Sequence, residues 1–267
     1  MIVDTHTHAC PWWMEPIELL DYQMRANKVN KALLMPLRDV FDMDYLYESA
    51  RRFPGQFHVV GAVDHRRDDA ADQLARQAAQ GVVAVRFDAQ DRSPGKDPLL
   101  IWSAAASLGL PISTMGHIEH FLSPEFQRII EAYPQVPIVL EHLAGAGAFW
   151  GPGRADKQFP MDLYKAVLGL ARYPHVHMKM PGFAEFMPRP RPLLVPVFPT
   201  VLPAYEMAVD AFGASRLMWG SDFPPSANRE GYGSVLGFPR DQVKWKSESD
   251  RDWVFGKTAV TVFKLAS

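Results

Sequence analysis

Along nearly the whole chain, short apolar or β-branched runs alternate with longer stretches in which apolar residues recur every three or four positions. The short runs predict strands near Ile2 to Thr5, Lys31 to Pro36, Phe57 to Val63, Val82 to Phe87, Pro111 to Met115, Pro137 to Glu141, Val176 to Met180 and Arg216 to Gly220. The intervening stretches predict helices over Pro16 to Ala26, Met43 to Phe53, Asp69 to Gln80, Asp97 to Leu108, Met161 to Tyr173, Pro203 to Phe212 and Arg251 to Leu265. One more helix announces its own start: Ser123 as N-cap, Pro124 at the first helical position and Glu125 in the first turn precede Phe126, Ile129, Ile130 and Tyr133. Eight strands alternating with eight helices predict an α/β chain folded as a closed parallel (β/α)8 barrel, one domain over residues 1–267.

Three connections exceed simple turns, at residues 144–160, 181–200 and 222–242, and each follows a strand, which puts them at the catalytic face of such a barrel. In the second, prolines 181, 188, 190, 192, 196 and 199 fix φ repeatedly and favour a stiff extended segment, read as a wall or lid. An interdomain linker is the alternative. No internal repeat is apparent.

With 48% hydrophobic and 22% charged residues in 267, the chain can bury a sizeable core, which excludes collagen-like and disordered classes. Lys plus Arg total 28 against 30 Asp plus Glu, so no basic excess advertises nucleic acid or an anionic membrane, and a small polar substrate is expected as partner. Association into homo-oligomers stays open. The single cysteine, Cys10, cannot form an internal disulfide, which points to the cytoplasm. No apolar run nears membrane-spanning length, and the polar cluster from Asp4 leaves no room for a signal peptide, so the mature chain is expected to begin at Met1.

The most informative stretch is Asp4-Thr5-His6-Thr7-His8, because alternate residues of a strand share a face and His6 and His8 would converge. Two imidazoles at a barrel mouth suit Zn²⁺ or a related divalent ion, with Asp4 on the same face orienting a histidine. Two histidines in a polar loop are the plainer reading. His142 follows the strand-like run 137–141 and precedes small residues, where it is either a ligand or general base, or a packing residue. Asp222 ends the last strand, which closure sets beside the first; there it could bind the metal and accept a proton from water that the ion acidifies, or simply shape a turn before Pro224.

Arg86 and Lys179 each end an apolar strand with a cation that is costly inside without a partner. A substrate carboxylate or an oxyanion could supply it, as could a structural salt bridge to Glu141 or Asp64. The run His117-Ile118-Glu119-His120 lacks the spacing of a helical zinc site and reads as a loop, with His117 able to touch substrate and His120 exposed. His58, His65 and His175 have ordinary surface or strand explanations. Cys10 could line the pocket, and Trp12 and Trp13 could form an aromatic wall for substrate or pack under the first loop.

In that order, Asp4-x-His6-x-His8, His142 and Gly220-Ser221-Asp222-Phe223-Pro224 resemble the amidohydrolase superfamily, and most of all its amidohydrolase-related (amidohydrolase 2) branch. Residues 59–64, 81–87, 140–143 and 255–259 fall in the order that branch expects. The resemblance implies a (β/α)8 barrel with a mononuclear divalent metal, His6 and His8 as ligands, Asp222 as ligand or base, and His142 as the sixth-strand histidine. Members include lactone hydrolases, some working without metal, and metal-dependent decarboxylases of aromatic or unsaturated acids. Met115 stands where the decarboxylases carry a fifth-strand histidine, and no lysine near the end of the fourth strand bridges two metals.

The leading expectation is therefore hydrolysis of a lactone or carboxylic ester bearing a carboxylate or sugar: Asp222 or a metal, most readily Zn²⁺, activates water, and Arg86 and Lys179 hold a carboxylate or oxyanion. Decarboxylation is the alternative. A TatD-like nuclease would want an acidic ligand in place of Arg86 and a basic groove, and neither is evident; a non-catalytic binding protein on the same fold is a further possibility.

Overall fold

The computed structural model describes residues 1–12, 14–147, 159–186 and 201–266. The predicted strands are all found: β1 (Val3–Thr7), β2 (Lys31–Leu34), β3 (Phe57–Gly61), β4 (Ala84–Asp88), β5 (Ile112–Met115), β6 (Ile138–Leu140), β7 (Val176–Met180) and β8 (Leu217–Trp219). They pair in parallel in sequence order, as strand-helix units with right-handed crossovers require. The last seam closes through a parallel bridge between Thr7 and Phe223, with the His8 amide donating to the Phe223 carbonyl at 2.7 Å. Just below it the Thr5 hydroxyl donates to the Trp219 carbonyl at 2.7 Å.

Two apolar sets hold the layers together. Outward strand residues such as Leu34, Val59, Ile112 and Ile138 pack under the helices against Leu20, Leu74, Trp102 and Ile129. Val3, Leu33, Val60, Val139 and Met218 instead gather with Ala259, Val262 and Phe263, so the last helical segment plugs the N-terminal end of the barrel. The predicted cap holds: Ser123 Oγ accepts from the Phe126 amide at 3.2 Å, and Pro124–Ala132 buries Phe126, Ile129 and Ile130.

Several expectations need correction. β1 runs on to Thr7 because Thr7 pairs with both Leu34 and Phe223. Residues 222–242 are largely helical, at Ala227–Glu230 and Tyr232–Gln242. The expected helix over 251–265 opens into a π-helical turn at Trp253–Lys257. Ile118–Leu122 is a short helix rather than a loop, and His120 is half-buried against it, not exposed. Trp13, most of the 144–160 connection and prolines 188 to 199, on which the wall or lid reading rests, lie outside the described residues. Among the described residues no helix is long and apolar enough to cross a membrane.

Gly220 is where the seam is tightest: a Cβ there would lie 2.7 Å from His6 Cβ and 3.0 Å from His6 N. Gly220→Ala is expected to force β8 from β1 at a cost of about 1–3 kcal/mol, read as a lowered midpoint in thermal unfolding; an unchanged midpoint would show the seam to be slack.

Candidate active site

His6, His8, His142 and Asp222 meet at the C-terminal mouth, all nearly buried. Asp222 Oδ1 lies 3.5 Å from His8 Nε2 and 3.7 Å from His6 Nε2, and the His6 ring centroid is 4.7 Å from that of His142. The backbone bends sharply to present them. His142, Leu143 and Ala144 have φ of 54°, 48° and 54°, and Asp222 has φ 47°. Each left-handed residue costs about 1–2 kcal/mol, so surrounding contacts must hold them there.

Asp4 does not orient an imidazole. Four residues of β1, Asp4 to Thr7, stand against three of β2, Ala32 to Leu34, and this bulge breaks the simple alternation. Its carboxylate accepts instead from the Ser221 amide at 2.8 Å, the His6 amide at 3.2 Å and the Tyr232 hydroxyl at 2.7 Å. Burial nevertheless pushes its pKa up to about 6.

The two strand-end cations have a protein partner. Arg86 Nη2 donates to Glu141 Oε2 at 2.7 Å and Nη1 to the Pro36 carbonyl at 2.7 Å, while Lys179 Nζ sits 3.6 Å from Glu141 Oε1. Ser113 adds a 2.7 Å hydrogen bond to the same carboxylate. Of the two salt-bridge partners considered from sequence, Glu141 is the one used; Asp64 pairs with Arg66. Burial would raise the Glu141 pKa, but Arg86 and Lys179 outweigh it and hold the carboxyl well below its usual range. Burial pulls the Lys179 ammonium down to about 8. Lys179 Nζ also lies 3.3 Å from His6 Nδ1, and His6, desolvated and beside that charge, is held neutral, well below its ordinary pKa.

Glu185 is the residue sequence reading missed. It sits in a short 3-10 turn, Phe183–Glu185, and His142 Nδ1 lies 2.8 Å from its Oε1. Burial works against protonation of His142, yet Glu185 outweighs it and raises the imidazole pKa. Nothing in the apolar-polar pattern marks it, because the turn carrying it is irregular. Asp222 shifts the other way: burial opposes its ionisation, but the charge of His142 and the Ser226 hydroxyl, whose Oγ donates to Oδ2 at 2.7 Å, keep its pKa low.

The donor set fits a divalent cation. His8 Nδ1 is 2.9 Å from the Met35 carbonyl, which can only accept, so Nδ1 carries the hydrogen and Nε2 turns a lone pair toward Asp222 Oδ1. Two acceptors facing at 3.5 Å need a positive centre between them. His6 Nε2 and Asp222 Oδ1 are buried without a hydrogen-bond partner, and with His8 they form a group whose ligand atoms all lie within 4.8 Å. Zinc-type bonds of about 2.1 Å at tetrahedral angles separate ligands by about 3.4 Å, close to these spacings. His142 falls in two neighbouring groups, with Glu185 and Asp222 and with His6 and Glu141.

His117 caps the Ile118–Leu122 helix and lines, with His142, Arg38 and Met115, a cavity of about 210 Å³. Trp12 is not gathered in. A hydrogen bond from the Cys10 amide to the Glu15 carbonyl at 3.0 Å turns the loop outward and leaves Trp12 92% exposed. It borders a different pocket, shared with Cys10 and Met35. Among the plainer histidines, His175 Nε2 meets the Ile130 carbonyl at 3.0 Å and His65 Nδ1 lies 3.1 Å from Asp91.

A parallel barrel with imidazoles on its first strand and a carboxylate after its last is the architecture of a barrel hydrolase. The chain belongs to the Amidohydrolase family, whose sequence model matches residues 3–265, and it is an enzyme of that family. It is 30% identical over 216 residues to an L-fucono-1,5-lactonase from Burkholderia ambifaria, covering 79% of this chain and 70% of the relative. Its fold is similar to that of an amidohydrolase from Burkholderia multivorans crystallised with zinc, at TM-score 0.79 and 21% identity over 100% of both chains. It is also similar to that of a candidate 2-pyrone-4,6-dicarboxylic acid hydrolase from Pseudomonas putida, at TM-score 0.76 and 22% identity over 100% of this chain and 98% of that one.

Removing the shared counter-charge should expose two buried cations. Glu141→Gln is expected to cost about 3–5 kcal/mol of stability, measured by urea unfolding, and a loss under 1 kcal/mol would show that Arg86 and Lys179 do not depend on it.

Proposed function

We propose that this enzyme hydrolyses a small polar lactone or related carboxylic ester, with Asp222 as base and His142 as acid. The observation that carries the reading is the meeting of an ionised Asp222 with a Glu185-braced His142 around one buried point beside a cavity of about 210 Å³. The 30% identity to a lactonase supports it.

His6, His8 and Asp222 would hold a divalent metal, which when bound acts as a Lewis acid on the carbonyl and on water. Imidazole and carboxylate donors suit Zn²⁺, and a structural relative carries zinc. The substrate carbonyl enters past His117. Asp222 Oδ1 takes a proton from water as its oxygen bonds to the carbonyl carbon, and Ser226 fixes the other carboxylate oxygen. The ring C–O bond then breaks, and the departing alkoxide takes its proton from His142 Nε2, whose cationic form Glu185 stabilises. The product is a hydroxy acid.

Arg86 and Lys179, committed to Glu141, are better read as keeping the sixth strand's end in place than as holding substrate. Decarboxylation is less favoured, since Met115 rather than an imidazole ends β5 beside the cavity. The substrate is a small molecule, and the lone Cys10 suits a reducing cytoplasm.

Asp222→Asn should lower kcat for a lactone panel by about 10²–10⁴-fold while circular dichroism stays native; unaltered turnover would remove Asp222 from the chemistry. Dialysis against a chelator should strip zinc seen by elemental analysis, lower the thermal midpoint and reduce turnover, with all three restored on adding zinc back. Protein purified without chelator that holds no metal yet turns over fully would rule out the metal part alone.

A further inference from the structure

The cavity beside His142 continues past the reacting centre. Arg38 and Met115 line both it and a neighbouring compartment of about 350 Å³, which opens over the ends of β3 and β4. We propose that Arg38 and Asp88 select the substrate, the larger compartment taking an uncharged part of it that bears adjacent hydroxyls rather than a second carboxylate. This rests on the hydrolase reading above for the position of the carbonyl.

The charges of that compartment decide the matter. Arg86 also borders it, but its guanidinium is spent on Glu141 and the Pro36 carbonyl. Arg38 is paired through Nη2 with Asp88 Oδ2. Beyond these matched pairs the lining carries two further carboxylates, Asp39 and Asp91; His65 lies 3.1 Å from Asp91, and Arg66, the other cation near both, is already matched by Asp64 at 2.6 Å. An incoming carboxylate would meet net negative charge in a partly desolvated space, which is unfavourable.

Neighbouring hydroxyls find what they need there. Each can donate to a carboxylate oxygen and accept from a guanidinium N–H, and Arg38 and Asp88 offer both side by side. The acceptors are pre-set: the Gln90 amide donates to Asp88 Oδ1 at 2.9 Å, and the Asp88 amide donates to Asp91 Oδ2 at 2.8 Å. They stay within reach, with the Arg38 side chain 55% and that of Asp88 18% exposed. His142 and Arg38 line the same cavity, so a ring with its carbonyl at His142 shares that space with Arg38.

The test compares kcat/KM for three δ-lactones, one polyhydroxylated, one unsubstituted and one bearing a carboxylate, in wild type, Arg38→Met and Asp88→Asn. Each variant should lose about tenfold or more, the worth of one charge-assisted hydrogen bond, in the ratio of polyhydroxylated to unsubstituted substrate, chiefly through KM. Asp88→Asn should also raise the relative turnover of the carboxylate-bearing lactone. Unchanged ratios in both variants, or a wild type that prefers the carboxylate-bearing lactone, overturn the proposal. Calorimetric titration with an inert cyclic polyol such as a 1,5-anhydroalditol separates the two readings. Binding to wild type that is lost in Arg38→Met, with no lactone turned over, would sink the hydrolase reading and keep this one; no binding to wild type together with unchanged ratios would sink this one alone.

Discussion

A buried carboxylate holds the barrel shut at the place where its chemistry sits. Asp4 accepts from the Ser221 amide, the Tyr232 hydroxyl and the His6 amide, and so ties the first strand to the segment just after the last. Hydrogen bonds to a charged group contribute about 1.5–3 kcal/mol each, and losing one partner strands the rest in a dry site. His6 and Asp222, 216 residues apart in the chain, become neighbours at 3.7 Å because of this seam. The left-handed backbone at Asp222 is held by Ser221 on one side and by the Ser226 amide, which donates to the Asp222 carbonyl at 2.9 Å, on the other.

The interior carries a second constraint, from charge rather than closure. Strands that read as apolar runs nonetheless place Arg86, Glu141 and Lys179 inside, where each alone would be too costly to ionise. Together they satisfy one another, with Ser113 and the Pro36 carbonyl filling remaining positions. The clamp is useful because Glu141 immediately precedes His142. Pinning Glu141 from three strands fixes the point from which the left-handed run 142–144 departs, and hence the direction of the His142 ring.

Most of the barrel was legible in the sequence because strands buried on both faces must be short apolar runs, and such runs punctuate the chain at regular intervals. His6, His8, His142 and Asp222 were legible for a related reason: each lies in or just after a run, and strand ends in this architecture point into the mouth. The pattern failed where structure depends on irregular backbone. The β1 bulge, which reassigns Asp4 from orienting an imidazole to closing the seam, has no signature in alternation. Glu185 comes from a 3-10 turn beyond β7, and its pairing with His142 is a tertiary fact. Arg86 and Lys179 were recognised as cations needing an anion, but residue type alone does not say whether that anion arrives with substrate or is built in.

What distinguishes this mouth from a merely polar one is that it drives two neighbouring groups in opposite directions. Asp222 and His142 share one desolvated pocket, and burial by itself would neutralise both. Glu185, paired with His142 Nδ1 at 2.8 Å, breaks that symmetry: it favours the imidazolium, whose charge in turn helps keep Asp222 ionised. On the proposed mechanism, the base and the acid therefore arise from a single placement. Glu185 and Asp222 are carried by separate loops and act on each other through the His142 ring between them. That separation suits a fold whose strands fix the reacting centre while its loops decide what reaches it.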